Sequence, residues 1–291
     1  MTMTTQRKLK FALFGNIYQA KKSAAIQKVL SVLTEAGDEL IIDAEYYKFL
    51  KDGQQLDVPT KGVFEGSDFE ADFAISMGGD GTFLKTAERI GRKGIPILGV
   101  NMGRLGFLAD ITPADIEPCL QALHDGDYAV EKRAMIEVEP YGCYALNDVA
   151  ILKRDSASMI SIRANIDGEY LTTYQADGLI ISTPTGSTAY SLSNGGPIIV
   201  PGTNVLVMTA VAPHSLNVRP IVIPDTAMIT LDVESRSHSF LVAVDGRSEK
   251  CREETRLTLR RAPFNMHIVK RSSKQYFSTL REKMMWGADV R

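Results

Sequence analysis

A glycine-rich turn around one carboxylate constrains this chain more than any other stretch. Residues 77–82 read Met-Gly-Gly-Asp-Gly-Thr, and the apolar run 73–77 before them is typical of a buried strand. Apolar residues over 83–90 recur at helical spacing, and Gly91 stands where a helix would end. The turn therefore joins a strand to a helix.

The residue types in this turn point to phosphate chemistry. Gly78, Gly79 and Gly81 permit positive φ and close approach to the backbone, and the N–H groups of a helix start point outward. Such a turn can receive a phosphate. Asp80 would repel it unless the carboxylate binds a metal, accepts a proton or holds a hydroxyl. Phosphoryl transfer to an alcohol fits this combination, and capping of the helix by Asp80 is the structural alternative.

The segments around the turn alternate between strand and helix. Strands are predicted at 8–15, 40–42 and 95–100, a helix at 26–33, and a loop at 51–68. This order predicts a Rossmann-like parallel sheet with helices on both faces, in an α/β domain over residues 1–126.

The stretch 101–108 follows a predicted strand at the carboxyl edge of the sheet, where open α/β sheets bind ligands. Its glycines suit a loop that closes over a nucleotide. A structural turn with Phe107 and Leu108 packed in the core explains the same residues equally well.

Beyond residue 127 the pattern changes to period two. Runs at 135–139, 160–166 and 228–233 alternate apolar and polar residues, with turn signals such as Asp245-Gly246 between strands. We expect an all-β domain over 127–265, a sandwich of two packed antiparallel sheets. In the last segment, 266–291, helical spacing predicts a short helix that returns to the first domain, and it is marked by Phe277, Leu280 and Met284.

Composition excludes several classes of protein. The 291 residues carry 33 basic and 35 acidic side chains, so no global positive field attracts nucleic acid or an anionic membrane. No apolar run approaches the roughly 20 residues of a membrane span. Three widely spaced cysteines predict thiols in a reducing cytoplasm. No spacing typical of a bound metal appears.

A second polar cluster lies in the β region, over residues 177–197. An apolar strand, 179–181, separates Asp177 from a loop dense in serine, threonine and glycine. The hydroxyls and small residues allow close contacts to a polar ligand, and Tyr190 offers a ring for stacking a purine. The structural alternative is a β-domain loop built from hydroxyl-to-backbone turns.

This cluster resembles the signature of the NAD kinase family. The same resemblance extends to the Asp80 turn and to Asn147-Asp148, His214, Arg219-Pro220 and Asp245-Gly246-Arg247. It implies phosphorylation of the adenosine ribose 2′-hydroxyl of NAD by ATP, giving NADP, with the site in a cleft between the two domains. It also implies a divalent cation, Mg²⁺, delivered with ATP. The β domain over 127–265 would bind NAD and would form a homo-oligomer, a dimer or tetramer.

The resemblance assigns roles residue by residue. Asp80 is the expected general base. Phosphates of the donor would be held by Gly78, Gly79, Gly81, Thr82 and Lys85. Asn147 and Asp148 would hold the adenine and ribose, and Asp177 the nicotinamide half. The dinucleotide pocket would be completed by Ser158, Gln175, Thr185, Thr188, Ala189, Tyr190, Ser191, Leu192, Ser193 and Arg247.

Some positions depart from relatives. Asp148 stands where many have glutamate, and Ser158 and Gln175 replace the histidine and arginine of some members. Because Gly-Gly-Asp-Gly also occurs in sugar and lipid kinases, a related kinase is one alternative, and a non-catalytic NAD(P) sensor is another. A dehydrogenase is disfavoured, since Gly15-Asn16-Ile17 stands where G-x-G-x-x-G is expected.

Overall fold

A computed structural model describes residues 8–18, 23–56, 58–103, 106–155, 158–270 and 276–285. The described chain forms two compact units. One contains the residues up to Glu131 together with those from His267 onward, and the other is Lys132–Met266. The sequence prediction places these divisions at 126/127 and 265/266.

The first unit is built on a parallel sheet with the order β17-β5-β4-β1-β2-β3, to which the long strand β17 (Leu257–Lys270) gives only its residues from His267 onward. Its own strands are β1 (Lys10–Gly15), β2 (Glu39–Asp43), β3 (Gly62–Phe64), β4 (Phe73–Gly78) and β5 (Ile97–Asn101). Its helices are α1 (Ser23–Glu35), α2 (Ala44–Lys48), α3 (Asp80–Ile90), α4 (Ile116–Asp125) and α6 (Tyr276–Met284), with a π-helical turn at Phe49–Gly53 and a 3-10 turn at Gly91–Lys93.

Alternate residues of these strands face opposite helical layers. Leu98 and Val100 of β5 share a buried cluster with residues of α1 and α4. Gly99, between them, faces the other side, where a Cβ would lie 3.0 Å from the ring of Phe83 on α3. The predicted α/β layering with helices on both faces is therefore confirmed, and it places the start of α3 at the carboxyl edge of the sheet.

Two local predictions in this unit are wrong. The predicted loop at 51–68 contains strand β3, because the Phe64 ring packs on Phe14 and Phe69, with centroids 5.2 and 4.5 Å away. The C-terminal helix exists, but its predicted apolar face is wrong, since Phe277 is 55% exposed. Leu280 is buried, while Met284 lies at the surface.

The second unit consists of antiparallel strands in two sheets, one with the order β13-β12-β11-β8-β15-β16 and one containing β10-β9-β14-β17. The strands are β6 (Ala129–Glu139), β7 (Cys143–Ala145), β8 (Asp148–Lys153), β9 (Ile160–Ile166), β10 (Glu169–Ala176), β11 (Gly178–Ser182), β12 (Val205–Val211), β13 (Ile221–Pro224), β14 (Ile229–Glu234), β15 (Ser239–Val244), β16 (Arg247–Arg252) and β17 (Leu257–Lys270). A 3-10 turn, Gly186–Thr188, and a short helix α5, Tyr190–Ser193, follow β11.

A common core joins the two sheets into the predicted sandwich. Ile151 and Leu179 from one sheet share a buried cluster with Ile162 and Leu231 from the other. Two Asp-Gly hairpins close strand pairs of these sheets, β9–β10 at 167–168 and β15–β16 at 245–246. Both residues of each turn have positive φ, as the favoured two-residue hairpin requires.

Candidate active site

The glycine-rich turn forms as predicted at the end of β4. Gly78, Gly79 and Gly81 do not use the positive φ that glycine permits, so their small size and not their backbone conformation distinguishes them. A Cβ at Gly78 would overlap the Thr82 side chain. At Gly79 and Gly81 a Cβ would meet nothing within 4 Å, so packing of the described chain does not demand glycine there. The space beside both is open to a ligand.

The Asp80 carboxylate is fixed by four donors. The amide N–H groups of Leu108 and Ala109 donate to Oδ1 at 3.0 and 3.1 Å. Phe107 N–H and the Lys283 ammonium donate to Oδ2 at 2.9 and 3.1 Å. The Asp80 side chain is 27% exposed. Its orientation is therefore set by the loop after β5 and by helix α6.

These donors also decide the charge of Asp80. Burial alone raises the pKa of this carboxyl, but the Lys283 charge and the three amides outweigh burial and lower the pKa below its usual value. Asp80 is thus held as an anion at neutral pH.

The stretch 101–108, for which two explanations stood open, is a turn that binds the carboxylate. Leu108 is buried, as the structural explanation expects, while Phe107 is only partly buried and packs near the Tyr276 ring, 6.3 Å between centroids. Arg104 and Leu105 lie outside the described residues. Gly106 also belongs to the site, because a Cβ at this position would overlap Oδ1 of Asp80. Sequence reasoning missed this role, since the two residues are 26 positions apart in the chain.

Substituting Gly106 by alanine is expected to displace the Asp80 carboxylate and to lower turnover by at least roughly tenfold, since small misplacements of catalytic groups are costly. The matched control is Gly62→Ala on β3, where the added methyl carbon meets its nearest neighbour at 3.9 Å. Steady-state rates and thermal melts of both variants test this. Equal activity of Gly106→Ala and wild type would show that the carboxylate position is not required.

A cavity of about 380 Å³ opens beside the turn. Its wall contains four of the predicted phosphate-holding residues, Gly79, Gly81, Thr82 and Lys85. The other lining residues were not predicted, and they come from the ends of β1 and β2, from α2 and from α3: Phe14, Gly15, Asn16, Ile17, Tyr18, Asp43, Glu45, Thr86 and Arg89.

Two basic residues of the described chain line this cavity, Arg89 and Lys85, and they differ in their partners. The Arg89 guanidinium pairs with the Asp43 carboxylate at 2.9 Å, and the same carboxylate accepts the Tyr46 amide at the start of α2. Arg89 is therefore engaged in holding α3 against β2. Lys85 lies one turn after the glycines on the cavity wall, which suits a cation that meets phosphate.

In the second unit another aspartate organises the predicted Asn147-Asp148 pair. The Asp245 carboxylate accepts the amides of Leu146, Asn147 and Asp148 at 2.8, 2.8 and 3.1 Å. Thr183 N–H donates to the carbonyl oxygen of Asn147 at 2.9 Å. Each unit thus contains one aspartate that binds three successive backbone amides.

The two carboxylates of this cluster are electrically coupled. Burial, and then the Asp245 charge, raise the pKa of Asp148 to about 7, although the Tyr190 amide donates to it. Burial also raises the pKa of Asp245, against its three amides and the nearby Arg247. Because Asp245 has more donors, we assign the negative charge to Asp245 and the proton to Asp148 near neutral pH.

The raised pKa of Asp148 predicts a pH-dependent stability. The Asp148 carboxyl loses its proton at a pH of about 3.9 in the unfolded chain, its ordinary pKa, but keeps it up to a pH of about 7 in the folded chain. The free energy of unfolding therefore falls as pH rises between these two values. Asp148→Asn cannot ionise, so its melting temperature relative to wild type should increase from pH 5 to pH 8. A difference that stays constant over this range would contradict the assignment.

Several hydroxyls predicted to face a ligand are used inside the fold. Ser191 Oγ is fully buried and lies 2.9 Å from Thr209 Oγ1. The Thr185 hydroxyl accepts a hydrogen bond from the buried Arg133 at 3.0 Å. The remaining predicted residues of this loop lie nearer the surface: Thr188, Ala189 and Leu192 are partly buried, and Tyr190 and Ser193 are exposed.

The other predicted residues occupy separate places. Asp177 lies between β10 and β11, and its carboxylate pairs with Lys153 at the end of β8 at 2.7 Å. Ser158 and Gln175 line a different groove, in which Gln175 Nε2 donates to Ser161 Oγ at 3.0 Å. The structure thus brings Asn147, Asp148 and the Tyr190 loop together, but these residues are not part of the groove that Ser158 and Gln175 line.

Within the described ranges, no group of three or more His, Cys, Asp or Glu side chains is arranged to hold a metal ion. In the same part of the chain, no helix has the length and apolarity needed to cross a bilayer.

These features define the class of the protein: it is an α/β protein with a glycine-rich strand-to-helix turn at the carboxyl edge of a parallel sheet. Two family models match it, described as the ATP-NAD kinase N-terminal domain over residues 13–128 and the ATP-NAD kinase C-terminal domain over 146–271. The chain belongs to the NAD kinase family.

Individual relatives agree over nearly the whole length. The chain is 57% identical to an NAD kinase of Bacteroides fragilis, covering 97% of this chain and 100% of that one, and 44% identical to one of Porphyromonas gingivalis, covering 97% and 99%. Among solved structures, yeast NADH kinase complexed with NADH has a TM-score of 0.87 at 22% identity, covering 99% of this chain and 90% of the other. An NAD kinase from Archaeoglobus fulgidus in complex with ATP has a TM-score of 0.76 at 25% identity, covering 95% and 99%.

Proposed function

We propose that this protein transfers the γ-phosphoryl group of ATP to the adenosine ribose 2′-hydroxyl of NAD. The bond between the γ-phosphorus and the β,γ-bridging oxygen breaks, and a bond from ribose O2′ to that phosphorus forms. The hydroxyl loses its proton, and the products are NADP and ADP. The observation that carries this proposal is an ionised, oriented Asp80 in the glycine-rich turn of an NAD kinase family member.

Asp80 is proposed as the general base that accepts the hydroxyl proton. Its lowered pKa makes it a weak base for a ground-state alcohol. Proton transfer is therefore favourable only once the bond to phosphorus is forming and the hydroxyl has become acidic. The fixed orientation of the carboxylate also favours the reaction, because the accepting oxygen does not have to be brought into position for each proton transfer.

The turn itself is proposed to hold the donor phosphates. Gly79 and Gly81 leave open space beside the backbone at the start of α3, where N–H groups and the helix dipole favour an anion. Lys85 and Thr82 on the cavity wall add a cation and a hydroxyl. Gly78 contributes through its close packing on Thr82 rather than through direct contact.

The second unit is proposed to bind the dinucleotide. Asn147 and a protonated Asp148 offer hydrogen-bond donors and acceptors to the adenosine. Tyr190, whose amide donates to Asp148, is 39% exposed and offers its ring for stacking. Asp177 is assigned to the nicotinamide half. We keep the supporting roles of Thr185, Thr188, Ala189, Ser191, Leu192, Ser193 and Arg247, with the buried Ser191 acting through the backbone position it fixes. Ser158 and Gln175 line a separate groove, so the geometry of this chain does not support their assignment to the dinucleotide pocket.

We further propose that Mg²⁺ reaches the protein as its complex with ATP, and is thus part of the substrate. The protein is proposed to work in the cytoplasm as a homo-oligomer, a dimer or tetramer formed through the β unit. The three cysteines, all of them described residues, form no disulfide, which is in keeping with a reducing compartment. Size-exclusion chromatography with light scattering tests the oligomer, and a monomeric mass would contradict it.

The direct test is an enzyme-coupled assay specific for NADP, with purified protein, NAD, ATP and magnesium. We expect NADP only when all components are present. NAD binding without turnover would instead indicate a sensor of NAD(P). With neither binding nor turnover, phosphorylation of a sugar phosphate or a lipid acceptor would indicate a different kinase of the same superfamily.

A further inference from the structure

Helix α6 brings a cation to the candidate base from the far end of the chain. Lys283 Nζ lies 3.1 Å from Asp80 Oδ2 and 4.3 Å from the centroid of the Phe107 ring. The Lys283 side chain is 30% exposed. The ammonium thus contacts both the carboxylate and one of the three residues whose amides bind it.

The packing of α6 explains why this contact is specific. Tyr276, Leu280 and Lys283 are four and three residues apart, so they share one face of the helix. Leu280 is buried on that face, and the Tyr276 ring packs beside Phe107 at 6.3 Å. The helix is therefore attached to the loop that binds Asp80, and its basic residue stands over the carboxylate.

The surrounding charges leave Lys283 as the cation that neutralises Asp80. Within the described part of the chain, the other donors to this carboxylate are neutral backbone amides. The nearby acid on the same loop, Asp110, is paired with Lys270 at 2.8 Å. Arg281, also on α6, is exposed.

We propose that Lys283 is a positioning residue for phosphoryl transfer, which holds the Asp80 carboxylate ionised and oriented against the 106–109 loop. This inference rests on the function proposed above. Lys283 acts through Asp80 and not on the substrate, so its loss lets the carboxylate change direction and moves its ionisation to higher pH. The C-terminal helix is thereby a working part of the site.

The test compares Lys283→Met, which keeps the aliphatic stem over Phe107, with Lys283→Arg, which keeps the charge, and with Arg281→Met as the matched control. For Lys283→Met we expect kcat to fall by roughly tenfold or more and the KM for NAD to change by less than about twofold. The acid limb of the plot of kcat against pH should lie at higher pH for Lys283→Met than for wild type, because the cation that stabilises ionised Asp80 is gone. For Lys283→Arg and Arg281→Met this limb should lie at the same pH as for wild type.

A second measurement separates this inference from the proposed function. Carboxyl ¹³C NMR of Asp80, assigned with Asp80→Asn, follows its titration without turnover, and its midpoint should be higher in Lys283→Met than in wild type. If wild type made no NADP while the midpoint still moved, the proposed function would fail and the pairing would stand. An unmoved midpoint, or a Lys283→Met variant as active as wild type, overturns the proposal.

Discussion

Replacing Asp80 by asparagine is expected to lower the turnover number for NADP formation by roughly 10²- to 10⁴-fold. The amide of asparagine cannot accept the hydroxyl proton. Its carbonyl oxygen can still accept the Leu108 and Ala109 amides, but its NH₂ group would face the Phe107 N–H and the Lys283 ammonium. The loop after β5 should therefore loosen slightly while the fold is kept.

The Asp80 prediction is checked by steady-state kinetics, with NAD affinity measured by calorimetry. We expect NAD affinity within about threefold of wild type, because the base assists the reaction more than binding. Asp125→Asn, which changes an exposed carboxylate of the same unit, serves as the control. Undiminished turnover of Asp80→Asn would rule out its role as the base.

Replacing Asp245 by asparagine is expected to affect both stability and NAD binding. Its carboxylate accepts three successive amides, and an asparagine NH₂ group would leave at least one of them without an acceptor. An unsatisfied buried amide costs about 1–3 kcal/mol, so the melting temperature should fall by roughly 2–12 °C. Because the Asn147-Asp148 pair then loses its support, the KM for NAD should rise by roughly tenfold.

Asp167 provides the matched control for Asp245. It occupies the same position of an Asp-Gly hairpin with positive φ, but its carboxylate accepts one exposed amide, that of Met228, at 2.8 Å. Asp167→Asn should thus leave both the melting temperature and the KM for NAD nearly unchanged. Similar losses in the two variants would show that the hairpin, and not the three-amide contact, is responsible.

Sequence patterns predicted the elements of this fold well because each depends on local periodicity. The β4–α3 turn at Asp80 and the Asp245-Gly246 hairpin follow from residues next to one another. What each carboxylate binds could not be predicted in this way. Asp80 meets amides about 28 residues away and an ammonium 203 residues away, and Asp245 meets amides almost 100 residues away. Such contacts are set by tertiary packing, which single-sequence patterns do not encode.

The use of each hydroxyl in the polar loop after β11 could not be predicted either. The composition of the loop correctly indicated dense hydrogen bonding, but the sequence does not distinguish a hydroxyl that binds a ligand from one that bonds to other parts of the protein. Ser187 illustrates this, since its Oγ donates to Pro184 O at 2.7 Å and accepts the Ile199 amide at 3.0 Å. Burial decides between the two uses, and burial is known only once the sheets are assembled.

The most direct single measurement follows the γ-phosphoryl group itself. Purified wild-type protein is incubated with NAD, magnesium and ATP labelled at the γ-phosphate, and the labelled product is compared with authentic 2′- and 3′-phosphorylated NAD. We predict that the label appears in the 2′-phosphate of NADP in step with ADP formation. Label found only in inorganic phosphate, or at another position of NAD, would contradict phosphoryl transfer to the 2′-hydroxyl.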